Sequence, residues 1–259
     1  MCSMVKSIDA VRRRLLEMHL KAGVGHLGGN LSCIDALVTL YQSILGESDR
    51  FILSKGHAAG ALYAALWSVG RLTDEDLNSF HAEGTALPGH PPAFGLEDVV
   101  FATGSLGHGL PLAVGLALAM RLRNSGGRVF CLTSDGEWQE GSMWEALAFA
   151  SHHRLANLCI LVDANRLQGF GRVSEVSSLE PLSPHFSPFR VKAVTIDGHQ
   201  PLQIEAAIRD LADDCPTVLI LNTVKGKGIP RLEDRLESHY LPLREDELGP
   251  ADPPERRHA

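Results

Sequence analysis

Two short apolar runs separated by an amphipathic segment are the clearest pattern in the chain. The first run covers residues 129–133 and is followed by a small-residue turn and then by helical spacing that includes Trp144 and Leu147. The second run covers residues 158–162 and ends at Asp163. This order predicts a strand, a helix and a second strand, which together form a βαβ unit with parallel strands.

Further apolar segments extend the same alternation along the chain. Their spacing predicts helices over residues 5–22, from 32 or 34 to 44, and over 58–69, 73–81, 110–122 and 202–211, and strands over residues 50–53, 191–196 and 217–224. Strands that alternate with helices indicate an α/β fold with an open, mostly parallel, doubly wound sheet that carries helices on both faces. The helix over 110–122 is apolar on almost every side, which predicts burial in the domain centre or at a subunit contact.

Glycine and proline mark the loops between these elements. Residues 23–32 contain four glycines, which predicts a loop with unusual dihedral angles or a close backbone approach. Residues 88–91 form a rigid turn around His90, and residues 169–188 are expected to be an ordered surface loop near the site. We therefore expect one domain over residues 1–243 and a polar, frayed tail over 244–259.

Composition limits the class of protein and of partner. The net charge is −7 and the longest basic run is Arg12-Arg13-Arg14, which argues against a nucleic acid partner. The five cysteines lack a C-x-x-C spacing, so buried reduced thiols are expected. The sequence begins without an apolar leader and nowhere approaches 18 uninterrupted apolar residues, so we expect a cytoplasmic protein that does not span a membrane.

Oxygen-bearing side chains follow both strands of the central βαβ unit. Asp135 follows the first strand and Asn165 the second. Because parallel strands present their carboxyl ends at one edge of a sheet, these side chains are expected to be neighbours. With the backbone carbonyl of Leu167 they form a hard oxygen set suited to Mg²⁺ or Ca²⁺. Alternatively, Asp135 only caps a helix and Asn165 only occupies a turn.

These residues resemble a known cofactor motif. Asp135-Gly136-Glu137, followed across the βαβ unit by Asn165, resembles the motif of thiamine diphosphate enzymes. With Gln139-Glu140-Gly141 it resembles transketolases in particular. Ser134 stands where that family usually has glycine, and serine is small enough to keep the turn possible.

Further segments are similar to transketolase phrases, each with its own histidine or glycines. They are Gly25 to Gly29 around His26, Arg50 to Ala59 with His57, Pro88 to Pro91 with His90, Thr103 to Gly109, Lys225 to Gly228, and Glu237 to Tyr240 with His239. The departures from the family phrases are Leu27 and Ser105 for proline, His108 for glutamine and Tyr240 for glycine. Taken alone, His26 could be a polar loop histidine, and Lys225 and Lys227 could bind phosphate or face solvent.

The resemblance implies a role for each matching residue. It assigns proton transfer and hydroxyl contacts to His26 and His90, and contact with an acidic residue of a partner chain to Glu140. Cofactor contacts fall to His57, Gly104, Leu106, Asp135, Gly136, Glu137, Asn165 and His239, of which His57, Gly136 and His239 would hold the diphosphate. The divalent ion would be bound by Asp135, Asn165 and the carbonyl of Leu167.

Half of such an enzyme is missing from this sequence. The resemblance covers residues 5–243 and only the diphosphate-binding domain, whereas full-length transketolases are more than twice as long and carry the activating glutamate in a pyrimidine-binding domain. The resemblance therefore implies a second subunit with that domain, in an α₂β₂ hetero-oligomer. The implied reaction is transfer of a two-carbon ketol unit from a ketose or ketose phosphate to an aldehyde.

Two other functions remain open from the sequence. One is an E1-like subunit of a 2-oxo acid dehydrogenase, or a specialised enzyme that loads a two-carbon unit onto another carrier from a keto acid. The other is a non-catalytic scaffold that keeps the fold, which the departures Ser134, His108 and Tyr240 would favour.

Overall fold

A five-stranded parallel sheet forms the centre of the computed structural model, which describes residues 6–249. The strands of the chain are β1 (Arg50–Leu53), β2 (Val129–Ser134), β3 (Leu158–Ala164), β4 (Leu167–Gln168), β5 (Gly171–Arg172), β6 (Lys192–Asp197) and β7 (Thr217–Asn222). The main sheet has the order β1-β2-β3-β7-β6, and every neighbouring pair is parallel. Strands β4 and β5 form a separate antiparallel hairpin.

Helices cover both faces of this sheet. They are α1 (Ile8–Ala22), α2 (Leu27–Thr39), α3 (Ala59–Ser68), α4 (Asp74–Asn78), α5 (Gly109–Leu122), α6 (Gly141–His152), α7 (Val173–Val176) and α8 (Pro201–Arg209). Alternate residues of the strands point into two separate cores. Phe130 and Leu132 of β2 join the core with α1, α2, α3 and α8, whereas Val129 and Cys131 join the core with α5 and α6. The predicted doubly wound α/β fold is confirmed.

Helix α2 begins earlier than the sequence predicts. Residues 28–32, expected to be loop, lie within the helix, which starts at Leu27 directly after His26 in the left-handed conformation (φ 63°). The glycines serve close packing of the helix: a Cβ on Gly28 would lie 2.3 Å from Oγ of Ser238, and one on Gly29 would lie 3.3 Å from the His57 ring. The prediction of close backbone approach was correct, whereas the predicted loop is confirmed only for residues 23–26 and is wrong for residues 27–32.

Helix α5 is only half buried, although its sequence is apolar all round. Leu110, Ala113 and Val114 pack into the core, whereas the side chain of Leu122 is 72 % exposed. Gly115 and Ala119 are exposed on the same helix. We expected this helix to be buried either in the domain centre or at a subunit contact. The domain core buries only one side of it, and the other side is exposed in the single chain.

The end of the described chain is anchored. Glu247, in a short 3₁₀ turn over Glu245–Glu247, receives hydrogen bonds from the guanidinium of Arg231, and Arg13 donates to the carbonyl of Leu248 at 2.6 Å. Hydrogen bonds thus hold residues 244–249 of the predicted frayed tail, and its residues 250–259 lie outside the described part. None of the helices within residues 6–249 has the length and apolar character needed to cross a membrane.

A buried ion pair holds the carboxyl edge of the sheet together. Lys55, directly after β1, and Asp163, at the end of β3, have fully buried side chains and form an ion pair. The Lys55 ammonium also donates to the carbonyl of Gly29 in α2 at 2.8 Å. Burial alone would raise the pKa of Asp163, but the Lys55 ammonium holds this pKa below its ordinary value. The pair therefore fixes α2 against two strands.

His19 is a buried histidine of α1. Its Nδ1 lies 3.0 Å from the carbonyl of Leu15, and its ring lies 5.1 Å from that of Phe80. Burial lowers the pKa of His19 to about 4, so the folded protein holds this imidazole neutral.

We predict that Lys55→Met destabilises the fold by about 3–5 kcal/mol, because it leaves the Asp163 carboxylate buried without its counter-ion. The double variant Lys55→Met with Asp163→Asn should lose clearly less unfolding free energy than Lys55→Met alone, since neither charge of the pair then remains buried. Urea unfolding monitored by circular dichroism measures both losses. A double variant as unstable as the single one would contradict the dominance of this ion pair.

We also predict that His19 contributes to acid unfolding. Its folded pKa lies below its unfolded value, so its stabilisation is complete above about pH 6.5 and is lost as the pH falls towards 4. Between pH 7 and pH 5 the wild-type chain should lose about 2 kcal/mol more unfolding free energy than His19→Gln, which does not titrate. Urea unfolding at the two pH values tests this, and equal losses would refute it.

Candidate active site

The predicted metal ligands meet at the carboxyl edge of the sheet. The Asp135 carboxylate accepts hydrogen bonds from the backbone N–H groups of Gly136 and Arg166, and the second of these belongs to the residue after Asn165. The Asn165 amide donates to Asp163 at 3.0 Å, and its oxygen accepts from the Leu167 N–H at 3.1 Å. The side chains of Asp135 and Asn165 and the carbonyl of Leu167, named here the oxygen set, therefore lie within one short stretch of this edge.

The electrostatics of the oxygen set favour a cation. Asp135 is only 6 % exposed, and burial, reinforced by the Asp163 carboxylate, raises the pKa of Asp135 to about 7. The ammonium of Lys225 donates to the Leu167 carbonyl at 2.9 Å, so a positive charge already contacts one of the three ligands. The described residues contain no group of three His, Cys, Asp or Glu that could hold a metal, and the oxygen set uses an amide and a carbonyl instead.

Four histidines from separate loops form a cluster beside the oxygen set. The ring centroid of His26 lies 5.6 Å from that of His57, 6.0 Å from that of His90 and 4.9 Å from that of His239. The centroids of His57 and His239 are 5.7 Å apart. These four residues, named here the imidazole cluster, are the four histidines to which the transketolase resemblance gives a role.

The imidazole cluster is neutral at pH 7. Burial lowers the pKa of all four histidines, and that of His239 falls to about 3. The two lysines lower the pKa of three of these histidines further. Lys225 acts on His26, His57 and His239, and Lys55 acts on His57 and His239. Burial and Lys55 in turn lower the pKa of Lys225 to about 8. Such a concentration of basic groups is suited to an anion.

Backbone contacts set the positions of these histidines. The side chain of Asn30 donates to the carbonyls of His26 and His57, at 2.8 and 3.2 Å, and its oxygen accepts from the Ala61 N–H at 2.7 Å. The Tyr63 hydroxyl lies 3.3 Å from the carbonyl of His90 and donates to it. Helices α2 and α3 thereby hold three of the four histidine loops.

Lys225 connects the imidazole cluster to the oxygen set. Besides its bond to the Leu167 carbonyl, its ammonium lies 3.1 Å from Nδ1 of His239. The segment that carries Lys225 is held by His199, whose Nε2 accepts the Val224 N–H at 2.9 Å and whose Nδ1 lies 2.7 Å from the Asp35 carboxylate. Cation and anion positions are therefore adjacent in this site.

The segment over residues 103–109 forms another side of the site. A Cβ on Gly104 would lie 3.0 Å from the His90 ring, and the side chain of Leu106 is 38 % exposed. Glu137 is fully buried, and its carboxylate accepts from the Ser54 hydroxyl and from the N–H groups of Gly107 and Ser134. Glu137 thus holds this segment against β1 and β2 with both of its oxygens.

Glu140 lies at the surface next to that segment. Its Cβ and Cγ would lie 2.9 and 3.1 Å from a Cβ on Gly107. The same segment carries one departure from the family phrases, His108, which is exposed with its Nδ1 3.2 Å from the Leu106 carbonyl. Ser134, another departure, is buried at the end of β2. The two departures therefore differ in setting, since one faces solvent and the other belongs to the sheet.

Sequence reasoning missed Lys55, Asp163 and Asn30 as parts of the site. Lysine is rarely buried, so the sequence gives little reason to place Lys55 inside the protein. Position along the chain could have indicated both residues as site residues. Lys55 closely follows the buried strand β1, and Asp163 lies at the end of the buried strand β3. Asn30 lies within the segment whose glycines predict a loop.

The residues present fit thiamine diphosphate with a divalent cation. Hard oxygens and a buried carboxylate of raised pKa suit the ion, and the neutral imidazoles with two lysines suit the diphosphate. Gly136 packs closely on Gln168, because a Cβ there would lie 3.2 Å from Cβ of Gln168. The Gly136 position therefore admits a close approach of the backbone.

Comparisons with known proteins identify the family of this chain. Residues 3–251 match the family model described as transketolase, thiamine diphosphate binding domain. A 6-deoxy-6-sulfo-D-fructose transketolase subunit from Clostridium sp. (strain MSTE9) is 37 % identical over 249 residues, which cover 92 % of this chain and 90 % of that protein. An apulose-4-phosphate transketolase subunit from Phocaeicola vulgatus is 35 % identical over 240 residues, covering 88 % and 85 %.

Solved structures give the same fold. Transketolase from Campylobacter jejuni superposes with a TM-score of 0.83 at 29 % identity, over 92 % of this chain and 40 % of that chain. Transketolase from Pichia stipitis in complex with sedoheptulose-7-phosphate gives a TM-score of 0.85 at 28 % identity, over 93 % and 39 %. The chain thus spans about 40 % of the length of these transketolases. It belongs to the transketolase family and corresponds to the thiamine diphosphate binding domain of that family.

Proposed function

We propose that this chain is one subunit of a split, thiamine diphosphate-dependent transketolase. The enzyme transfers a two-carbon ketol unit from a ketose or ketose phosphate to an aldehyde. The observation that carries the proposal is the contact of Lys225 with both the oxygen set and the imidazole cluster, which makes one continuous site for a cation and an anion. The relatives of similar length, which are named transketolase subunits, support the division into two chains.

The oxygen set would hold Mg²⁺, or Ca²⁺ in its place. Asp135 supplies the carboxylate, Asn165 the amide oxygen and Leu167 the carbonyl, and all three are oxygen ligands of the kind these ions prefer. Asp163 orients the Asn165 amide, because the Nδ2 group donates to Asp163; the Oδ1 atom accepts the Leu167 N–H and keeps a second lone pair for the ion. Lys225 would move its hydrogen bond from the Leu167 carbonyl to the diphosphate.

The diphosphate would lie against His57, His239, Lys225 and the N–H of Gly136. Its charge offsets the two lysines that depress the pKa values of these histidines. Gly104 and Leu106 would contact the aminopyrimidine, on the side of the site that Glu137 supports. When bound, thiamine diphosphate supplies the electron sink that carbon–carbon bond cleavage requires.

His26 and His90 would handle the protons of the substrate hydroxyls. Burial lowers the pKa of both imidazoles below the ordinary value, so both are neutral at pH 7 and able to accept a proton. Their ring centroids are 6.0 Å apart, which allows two different hydroxyl groups to be contacted at once. The position of His26 is fixed by its left-handed backbone and by Asn30.

A partner subunit would complete the site with the pyrimidine-binding domain. Glu140 is exposed beside the site, where it can meet an acidic residue of the partner. The exposed apolar side of α5, with Leu122 72 % exposed, would be covered in an α₂β₂ assembly. We place the enzyme in the cytoplasm, in keeping with the four free thiols of Cys33, Cys131, Cys159 and Cys215.

We predict that Asn165→Ala weakens cofactor binding about 10- to 100-fold, because it removes one ion ligand and its contact with Asp163. Isothermal titration of thiamine diphosphate with Mg²⁺ into the chain together with its partner subunit measures this. Asn78→Ala, at an exposed position on α4, is the matched control and should bind as the wild type does. Equal affinity of Asn165→Ala and wild type would refute the ligand role, and absent binding by the wild type would favour the scaffold.

The reconstituted pair should turn over xylulose 5-phosphate with an aldose phosphate acceptor, and the isolated chain should show no turnover. Pyruvate should not serve as donor, because the imidazole cluster is arranged for hydroxyl groups that pyruvate lacks. Product analysis by mass spectrometry distinguishes the two donors. Turnover of pyruvate alone would favour the E1-like alternative, and ketol transfer by the isolated chain would contradict the split enzyme.

A further inference from the structure

The oxygen set ends in a hairpin that is too small to be stable alone. Strands β4 and β5 pair only Leu167 with Arg172 and Gln168 with Gly171, and Gly169 and Phe170 form the tip. The Phe170 side chain is 86 % exposed and contributes little burial. Because an isolated two-stranded hairpin is marginal in water, contacts from outside must hold this one. The carbonyl of Leu167, a proposed ion ligand, depends on them.

External contacts hold the two ends of the hairpin differently. At its base, the Gln168 amide donates to Gln139 at 3.0 Å, and Lys225 donates to the Leu167 carbonyl. At its tip, the Tyr240 hydroxyl donates to the Gly169 carbonyl at 2.6 Å. The tip therefore bonds to the residue that follows His239.

Glycine at position 169 makes this contact possible. A Cβ there would lie 2.9 Å from the Tyr240 hydroxyl oxygen and 3.2 Å from Nε2 of His239, closer than side chains normally approach. The Tyr240 ring packs edge-on against His239, with centroids 4.8 Å apart. Gly169 and Tyr240 are thus fitted to each other, and Tyr240 stands where the transketolase phrase has glycine.

The residue that holds the tip is itself firmly placed. The His239 carbonyl accepts the His26 N–H at 2.9 Å, and the Tyr240 N–H donates to the Glu237 carbonyl at 3.0 Å. A Cβ on Gly25 would lie 2.6 Å from the Tyr240 carbonyl, so the backbone before α2 packs closely on this segment. Tyr240 therefore ties a weak hairpin to a rigid part of the imidazole cluster.

We propose that Tyr240 is a positioning residue that fixes the Leu167–Gly169 segment to His239. The Leu167 carbonyl, a proposed ion ligand, and His239, a proposed diphosphate ligand, would then hold their relative positions before the cofactor binds. The proposal rests on the proposed function for what is bound, but the tie itself exists without any ligand. Its role is to reduce the ordering that binding would otherwise require of the hairpin.

The first test measures the hydrogen bond from the Tyr240 hydroxyl to the Gly169 carbonyl, called the tie below, in the chain without ligand. Tyr240→Phe keeps the ring on His239 and removes only the hydroxyl. Hydrogen–deuterium exchange in residues 165–172 should become about five-fold faster, the effect of losing one hydrogen bond worth about 1 kcal/mol. Tyr41→Phe is the matched control, because Tyr41 lies under Arg71 away from the site and its ring is retained. Unchanged exchange in Tyr240→Phe would overturn the proposal.

A second variant approaches the tie from the other side. Gly169→Ala places a methyl group against the Tyr240 hydroxyl and should speed exchange in the same residues. In the double variant Gly169→Ala with Tyr240→Phe, the crowded oxygen is gone, so the combined effect should be smaller than the product of the single effects. Strictly multiplicative effects would show that the two residues do not act on each other and would count against the proposal.

The last test asks whether the tie serves the cofactor. In the reconstituted pair, Tyr240→Phe should raise the half-saturating concentration of thiamine diphosphate with Mg²⁺ about five-fold and leave kcat unchanged, because Tyr240 does not touch the reacting atoms. A general loss of stability would instead lower the unfolding temperature and the active fraction. If the wild-type pair binds no thiamine diphosphate, the proposed function fails, whereas faster exchange in Tyr240→Phe still supports the tie. Faster exchange with unchanged cofactor affinity would overturn the positioning role.

Discussion

The carboxyl edge of the sheet depends on how the buried Asp163 carboxylate is satisfied. Four side chains donate to it, those of Ser32, Lys55, Asn165 and Thr223. They come from α2 and from the segments after β1, β3 and β7, so one carboxylate joins four parts of the fold. A buried charge is tolerated only when it is paired and fully hydrogen-bonded, and removal of any donor would leave part of that requirement unmet. The carboxylate therefore fixes the relative positions of these segments.

The same network gives the site its geometry. Asn165 has one amide orientation because its Nδ2 group donates to Asp163, which directs Oδ1, its contribution to the oxygen set, towards the Leu167 N–H. Lys55, bonded to Asp163 and to the Gly29 carbonyl, begins the turn that carries His57. The ligands on the two sides of the site are thus positioned by one ion pair beneath them. This is why residues that never contact a cofactor can still determine how it is held.

The centre of the sheet could be predicted from the sequence because β2, β3 and β7 are short runs of apolar and β-branched residues, buried on both faces. The proximity of Asp135 and Asn165 followed from the handedness of the βαβ unit. Strand order could not be predicted, since nothing local places β1 beside β2 or β7 beside β3. The convergence of the four histidines of the imidazole cluster depends on loops that only the packed structure brings together, and the sequence could group them only through a family resemblance. The place of Lys55 could not be predicted because a buried lysine contradicts the usual preference of that residue.

Charge is separated within the site in a way that matches its proposed occupants. Asp135 and Asp163 lie on the side of the oxygen set and His57 and His239 on the other side, with Lys225 at the boundary in contact with both. Burial, with the Asp163 carboxylate, raises the pKa of Asp135 to about 7, and burial, with the Lys55 ammonium, lowers the pKa of Lys225 to about 8. A divalent cation bound to a diphosphate carries the opposite pattern, with its positive charge towards the carboxylates and its negative charge towards the basic groups. Binding of both ions would compensate the buried negative charge of Asp135 and the buried positive charge of Lys225, whereas either ion alone would compensate only one of them. The cation and the diphosphate are therefore expected to bind cooperatively.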